Sequence, residues 1–125
     1  MVVMVLKPKV DFAVTVEAEI TPELALMSVE EASKFRVYYG REQVSLGELF
    51  EITKEGDDKK LVLEGDFSRV KWVGARMEDG EIVVKGSIGA HCGAYMKGGR
   101  IEIEGDADDW LGAEMSGGEI VVKGN

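Results

Sequence analysis

Hydrophobic and polar positions change rhythm near residue 61. From there the chain repeats as LVLEGDFSRVKWVGARMEDGE, IVVKGSIGAHCGAYMKGGR, IEIEGDADDWLGAEMSGGE and IVVKGN, the first unit 21 residues long and the next two 19. Gly74, Gly93 and Gly112 share one column, Gly80, Gly99 and Gly118 another, and Met77, Met96 and Met115 a third. Each unit opens on alternating positions. Leu61 and Leu63, Ile82 and Val84, Ile101 and Ile103, and Ile120 and Val122 are aliphatic, as expected of the inward face of a half-buried strand. The flanking outward positions alternate in sign from unit to unit. One row reads Lys60, Glu81, Arg100, Glu119 and the other Glu64, Lys85, Glu104, Lys123. Parallel strands in register bring such residues about 4.8 Å apart, where unlike charges attract. Three or four short strands per unit with glycine corners predict a mainly β fold, a right-handed single-stranded parallel β-helix of about three 19–21-residue coils over residues 61–125.

Residues 1–60 read differently, as a small α+β region. Val10, Phe12, Val14, Val16, Ala18 and Ile20 alternate with mostly polar neighbours and predict a long strand. Thr21-Pro22 predicts a helix start, and Ser28 with Glu31 a capping box for a second helix through Lys34. Arg36–Tyr39 reads as a strand, Gly40-Arg41 as a turn and Ser45–Phe50 as a helical turn. Glu55–Lys60 reads as a hydrophilic connection.

The repeat also assigns single residues. Gly98-Gly99 and Gly117-Gly118 read as corners needing positive φ, with Asp79-Gly80 in their place in the first unit. The methionine column reads as core filler rather than a soft-metal site. Cys92 aligns with Val73 and Leu111 and reads as a core thiol. His91 aligns with Trp72 and Trp110 on the outward side of an extended segment, a column of large rings that is costly to leave in water. Trp72, His91 and Trp110 are therefore the candidate partner-contact residues, the alternative being that they pack beneath the N-terminal region. Asp106, Asp108 and Asp109 with Glu104 lack calcium-loop spacing and read as a solvated corner.

Composition narrows the function classes. There are 24 acidic against 15 basic side chains, a net charge of −9, which argues against nucleic acid and anionic membrane surfaces as partners. One cysteine and one histidine leave no disulfide, no Cys-only metal site and no site needing two imidazoles. No phosphate-loop, nucleophile-elbow or zincin motif occurs, so the sequence offers no catalytic, cofactor-binding or metal residue. Asn and Gln occur once each, the depletion seen in heat-adapted proteins. The opening MVVMVLKPKVDF is too short an apolar run for a signal peptide, which makes the cytoplasm the expected location. Strand Glu119–Lys123 is followed here by Gly124 and Asn125, so its open edge is expected to meet a second copy, another subunit or further polypeptide.

These words resemble a known family. Gly65–Val70, VGARMEDGEIVVKG and GAHCGAYMKGGRIEIEGDADDWLGAEMSGGEIVVKGN are similar to the C subunit of formylmethanofuran dehydrogenase, as are Ile20–Glu23, Ser28–Glu31 and Leu46–Phe50 upstream. The glycine-rich module also resembles the C-terminal domain of the glutamate synthase large subunit. The resemblance implies membership of an archaeal oxidoreductase complex that reversibly reduces carbon dioxide onto methanofuran, the entry step of methanogenesis. It implies a scaffold subunit without cofactors of its own, with the molybdenum or tungsten pterin, iron–sulfur clusters and zinc on partner subunits. Family members continue for several more coils, and Asp108 stands where the preceding unit has Gly89. The rival expectations are a self-associating structural module joined through open coil ends and a small-molecule binding domain.

Overall fold

The computed structural model describes residues 3–56 and 58–124. In chain order the elements are β1 (Val3–Pro8), β2 (Val16–Glu17), a 3-10 turn (Pro22–Leu26), α1 (Val29–Ser33), β3 (Arg36–Tyr39), β4 (Glu42–Ser45), α2 (Leu46–Leu49), β5 (Phe50–Glu55), β6 (Lys60–Glu64), β7 (Val70–Lys71), β8 (Glu81–Lys85), β9 (Arg100–Ile103) and β10 (Glu119–Val122). They form a six-stranded sheet in the order β10-β9-β8-β6-β1-β5 and a four-stranded sheet in the order β4-β3-β2-β7.

The repeat is a stack of coils. β6, β8, β9 and β10 pair in parallel, Lys60 with Glu81, Glu81 with Arg100 and Arg100 with Glu119, the register the repeat demands. Single bridges continue the stacking on a second side, Phe67 to Ile88 to Ala107. On a third, Trp72 N donates to Ala90 O and His91 N to Asp109 O. Inside the coil Leu61, Leu63, Ile82, Val84, Ile101 and Ile103 are fully buried, each stabilising the fold by about 1.5–3 kcal/mol relative to exposure. Met77, Met96 and Cys92 fill the same interior, and Met115 and Leu111 pack half-buried against it.

Two glycine columns are required for different reasons. Gly74 lies at φ +74°, and a Cβ there would meet Ile101 Cδ1 at 2.7 Å, so both backbone and core exclude a side chain. At the Gly-Gly corners only Gly99 and Gly118 take positive φ. Gly98 and Gly117 do not, contrary to the expectation for the pair. A Cβ on either would instead strike the carbonyl oxygen of Glu78 or Lys97 in the coil beside it.

The N-terminal region departs most from the sequence reading. Of the strand expected over Val10–Ile20, only Val16–Glu17 forms a ladder, because residues from Val16 onward bond to the first coil. Val16 N donates to Arg69 O, Ala18 N to Lys71 O, and Ile20 O accepts from Gly74 N. Phe12, Val16, Ala18 and Ile20 are buried, while Val10 and Val14 face solvent. β1 extends the coil sheet, parallel to β6 and antiparallel to β5. Its Met4 and Leu6 are fully buried, and Phe50 stacks on Phe67 at 5.4 Å, so one hydrophobic cluster runs from the N-terminal region into the coils.

The short helices form at the expected caps. Ser28 and Glu31 make the reciprocal bonds of a capping box on α1, and on α2 Ser45 donates both its backbone N–H and its hydroxyl to the Glu48 carboxylate. These bonds hold both glutamates below the usual carboxylate range. Thr21 starts the 3-10 turn with Pro22 behind it but forms no side-chain cap. Part of the connection expected at Glu55–Lys60 lies outside the described residues at Asp57; its ends belong to β5 and β6.

Candidate functional site

The aromatic column forms as a three-ring stack. Trp72 and His91 lie 4.3 Å apart between centroids with planes inclined by 6°, and His91 and Trp110 lie 6.1 Å apart at the same inclination. The backbone is not extended here, in contrast to the sequence-based expectation. Trp72, His91 and Trp110 sit at φ of 70°, 60° and 64° in the left-handed region. A second column four residues on does the same, Arg76 at 63°, Tyr95 at 58° and Glu114 at 53°. Such conformations cost about 1–2 kcal/mol for a residue with a Cβ, so each coil carries two backbone positions that glycine would occupy more easily. Their hydrogen bonds explain the persistence: the intervening glycine column must face the core, and Arg76 N and Tyr95 N bond to Ala94 O and Ala113 O of the coil beside them.

The N-terminal region meets this face at one end only. Trp72 is half-buried beside a groove of about 400 Å³ whose walls include Glu17, Glu19, Phe35, Arg36, Tyr38 and Arg76. Arg76 pairs with Glu19 and places its guanidinium 5.0 Å from the centre of the Tyr95 ring. At the other end Trp110 is 66% exposed. Trp72 thus lies half-buried beside β2 and β3, as the packing alternative expects of that ring, and Trp110 stands exposed. Tyr38 at 48% and Tyr95 at 39% exposure belong to the same face. The sequence reading missed them, although Arg76, Tyr95 and Glu114 form a visible repeat column and Tyr38 lies at an outward position of a correctly placed strand.

Elsewhere the chemistry is structural. Arg100 donates to Glu81, Glu102 and Glu119 at 3.2, 3.1 and 2.9 Å, and Lys60 reaches Glu81 at 3.4 Å, so the first charge row is paired throughout. The second row is not: Glu64 turns to Lys7 and Lys123 to Glu102. Burial pushes the Cys92 thiol up to about 12, which keeps it protonated and unreactive. Among the described residues no group of three or more His, Cys, Asp or Glu side chains is placed to hold a metal ion, so they do not fit a metal centre. No helix among them is long and apolar enough to cross a membrane.

The architecture defines a β-solenoid of stacked coils whose first coil is continued by an N-terminal strand and hairpin. No family model matches the chain. It is 41% identical over 92 residues to the C subunit of the molybdenum-containing formylmethanofuran dehydrogenase 1 of Methanothermobacter marburgensis, covering 71% of this chain and 23% of that one. To the C subunit of the tungsten-containing dehydrogenase 2 of the same organism it is 40% identical over 97 residues, covering 73% and 36%. A chain of the crystal structure of the formyltransferase/hydrolase complex FhcABCD from Methylorubrum extorquens, solved with methylofuran, superposes with a TM-score of 0.87 at 33% identity. That match covers 96% of this chain and 46% of the other. The chain is a homologue of the C subunit of formylmethanofuran dehydrogenase, and it spans about a quarter to a third of the length of these curated relatives.

Proposed function

We propose that this chain is a structural, non-catalytic component of a formylmethanofuran dehydrogenase-type complex, holding neighbouring subunits rather than reacting itself. The observation that carries the reading is the match to a chain of a multi-subunit formyltransferase/hydrolase complex across 96% of this chain. The reaction would be the reversible reduction of carbon dioxide with methanofuran to formylmethanofuran. The molybdenum or tungsten named in the relatives, with its pterin, and any iron–sulfur or zinc centres would lie on partner subunits. Assembly in the cytoplasm fits this reading. The contact would use the face of Trp72, His91 and Trp110, tryptophan being among the residue types that dominate binding energy in protein interfaces.

The test is affinity capture of the tagged chain from its native organism, with co-purifying polypeptides identified by mass spectrometry and metals by elemental analysis. Capture of a molybdenum- or tungsten-bearing chain in stoichiometric amount is the expected result. Recovery of the chain with itself alone, through coil ends, would replace this reading with that of a self-associating module.

A further inference from the structure

The ring column stops at the groove beside β2. His91 covers one face of Trp72 and does not line the groove, so the opposite face of the indole is the one turned toward β2. In the β2–β7 register the residue beside Trp72 is Ala18, which is buried and places no side chain in the groove. The column that stacks Trp72, His91 and Trp110 therefore has no ring of this chain at its next position. The space there, about 400 Å³, falls within the range of small-molecule clefts, about 300–1,000 Å³. Half-buried Phe35 and exposed Tyr38 add two further aromatic side chains to its walls.

Two opposite charges on these walls are open. Glu19 and Arg76 satisfy each other, and the Arg76 guanidinium also lies over the Tyr95 ring. Glu17 stands opposite Tyr38 in the β2–β3 register, and its exposed carboxylate forms no hydrogen bond or ion pair among the described residues. Arg36, two residues before Tyr38, donates one N–H to Gln43 O at 3.2 Å and forms no ion pair among the described residues. The rest of its donor fork is left open.

We propose that this groove binds a small aromatic zwitterion of the kind a free aromatic amino acid represents. Its ring stacks on Trp72 and extends the column by one, its ammonium meets Glu17, and its carboxylate meets the Arg36 fork. Glu17, Glu19, Arg36 and Arg76 sum to no net charge, so a ligand of single charge gains at one wall what it loses at the other. The separated pair of charges, added to the ring face, is what selects among flat molecules.

Nuclear magnetic resonance titration of the isotope-labelled chain with unlabelled probes tests this. L-tryptophan should shift the Trp72 indole N–H resonance saturably, with a midpoint of about 1 mM or below. The Trp110 indole N–H, two rings along the stack, should hardly move. Tryptamine lacks the carboxylate, indolepropionate lacks the ammonium and L-leucine lacks the ring, so each should bind about tenfold more weakly than L-tryptophan. Glu17→Gln should weaken L-tryptophan and tryptamine but spare indolepropionate, whereas Arg36→Gln should weaken L-tryptophan and indolepropionate but spare tryptamine. Glu51→Gln, on β5 in the other sheet, should behave as wild type. Shifts that rise linearly without saturating, or equal midpoints for L-tryptophan, tryptamine and indolepropionate, overturn the proposal. The measurement needs this chain alone, so its failure leaves the complex-subunit reading standing, and failure to capture a subunit leaves this site standing.

Discussion

Gly74 and His91 show how differently the coil treats a left-handed residue. At Gly74 the φ of +74° coincides with a core approach of 2.7 Å to Ile101 Cδ1, so Gly74→Ala meets backbone strain and overpacking together. Those effects sum to about 2–5 kcal/mol of destabilisation, readable as a shifted midpoint in urea unfolding. At His91 the φ of 60° carries only the backbone cost, since its ring stacks outside between two indoles. His91→Gly should therefore change stability by about 1 kcal/mol or less, stacking lost offsetting strain relieved, and a loss as large as at Gly74 would refute this division of roles. Cys92 gives a third residue-scale expectation. With its thiol buried and pushed up to about 12, Cys92 in the folded chain should be alkylated only through unfolding, at a rate that rises with urea as steeply as global unfolding does. Labelling that hardly depends on urea would show that the coil interior opens locally around it.

Among the elements, the charge row on the coil sheet and the two helix caps carry separate predictions. Arg100 bonds three carboxylates from three coils, and its side chain is 38% exposed, so solvent discounts each contact. Arg100→Met should lower the urea midpoint at low ionic strength and do so much less in molar salt. The same loss in both would make alkyl packing, not charge, its role. At the caps, the Ser28 and Ser45 bonds depress Glu31 and Glu48 in the folded chain. A depressed carboxylate stabilises above its ordinary value near 4.5 and loses that contribution as pH falls through its lowered folded value. The Ser28 amide resonance should thus titrate with a midpoint below 4.5; a midpoint at or above it would mean the box is open in solution. These elements were legible because their signals are local: a cap spans four residues, and the coil period recurs in glycine, methionine and charge columns. β1 and β5 were not. β1 is a nearly continuous apolar run without alternation, and its antiparallel partner lies over forty residues away at Phe50–Glu55. The Val10–Ile20 pattern was legible as burial at Phe12, Val16, Ala18 and Ile20 but not at Val10 and Val14, which face solvent, and it was misleading as pairing, since alternation does not fix which backbone a segment bonds. The aromatic column was found from its repeat register; its left-handed backbone was hidden, because Trp and His rarely adopt it and nothing in their identity announces it.

Across the whole molecule, the question is whether the coils stand without the N-terminal region. Solenoid repeats contact only their neighbours, so a coil stack is stabilised by whatever covers its ends. Here β1 lies parallel to β6 and brings Met4 and Leu6, both fully buried, into the same cluster as Leu61, Ile82 and Ile101. Phe12, Phe50 and Phe67 join the two parts at ring distances of 5.5 and 5.4 Å, and Val16–Ile20 bonds along the side that carries Trp72. Damage to β1 should therefore be felt in the coils. Leu6→Ala removes a fully buried side chain in the strand beside the first coil and should cost about 2–5 kcal/mol. Trp110 fluorescence in a Trp72→Phe background reports on the coils alone, since Trp72 lies beside β2 and β3, while amide exchange on β1 and β5 reports on the N-terminal sheet. If the shared core governs, both probes shift to the same lower urea midpoint in Leu6→Ala and stay superimposable. Tryptophan signals that keep their wild-type midpoint while β1 and β5 exchange freely would instead show a coil stack that holds its own fold, with the N-terminal strand as a detachable cover.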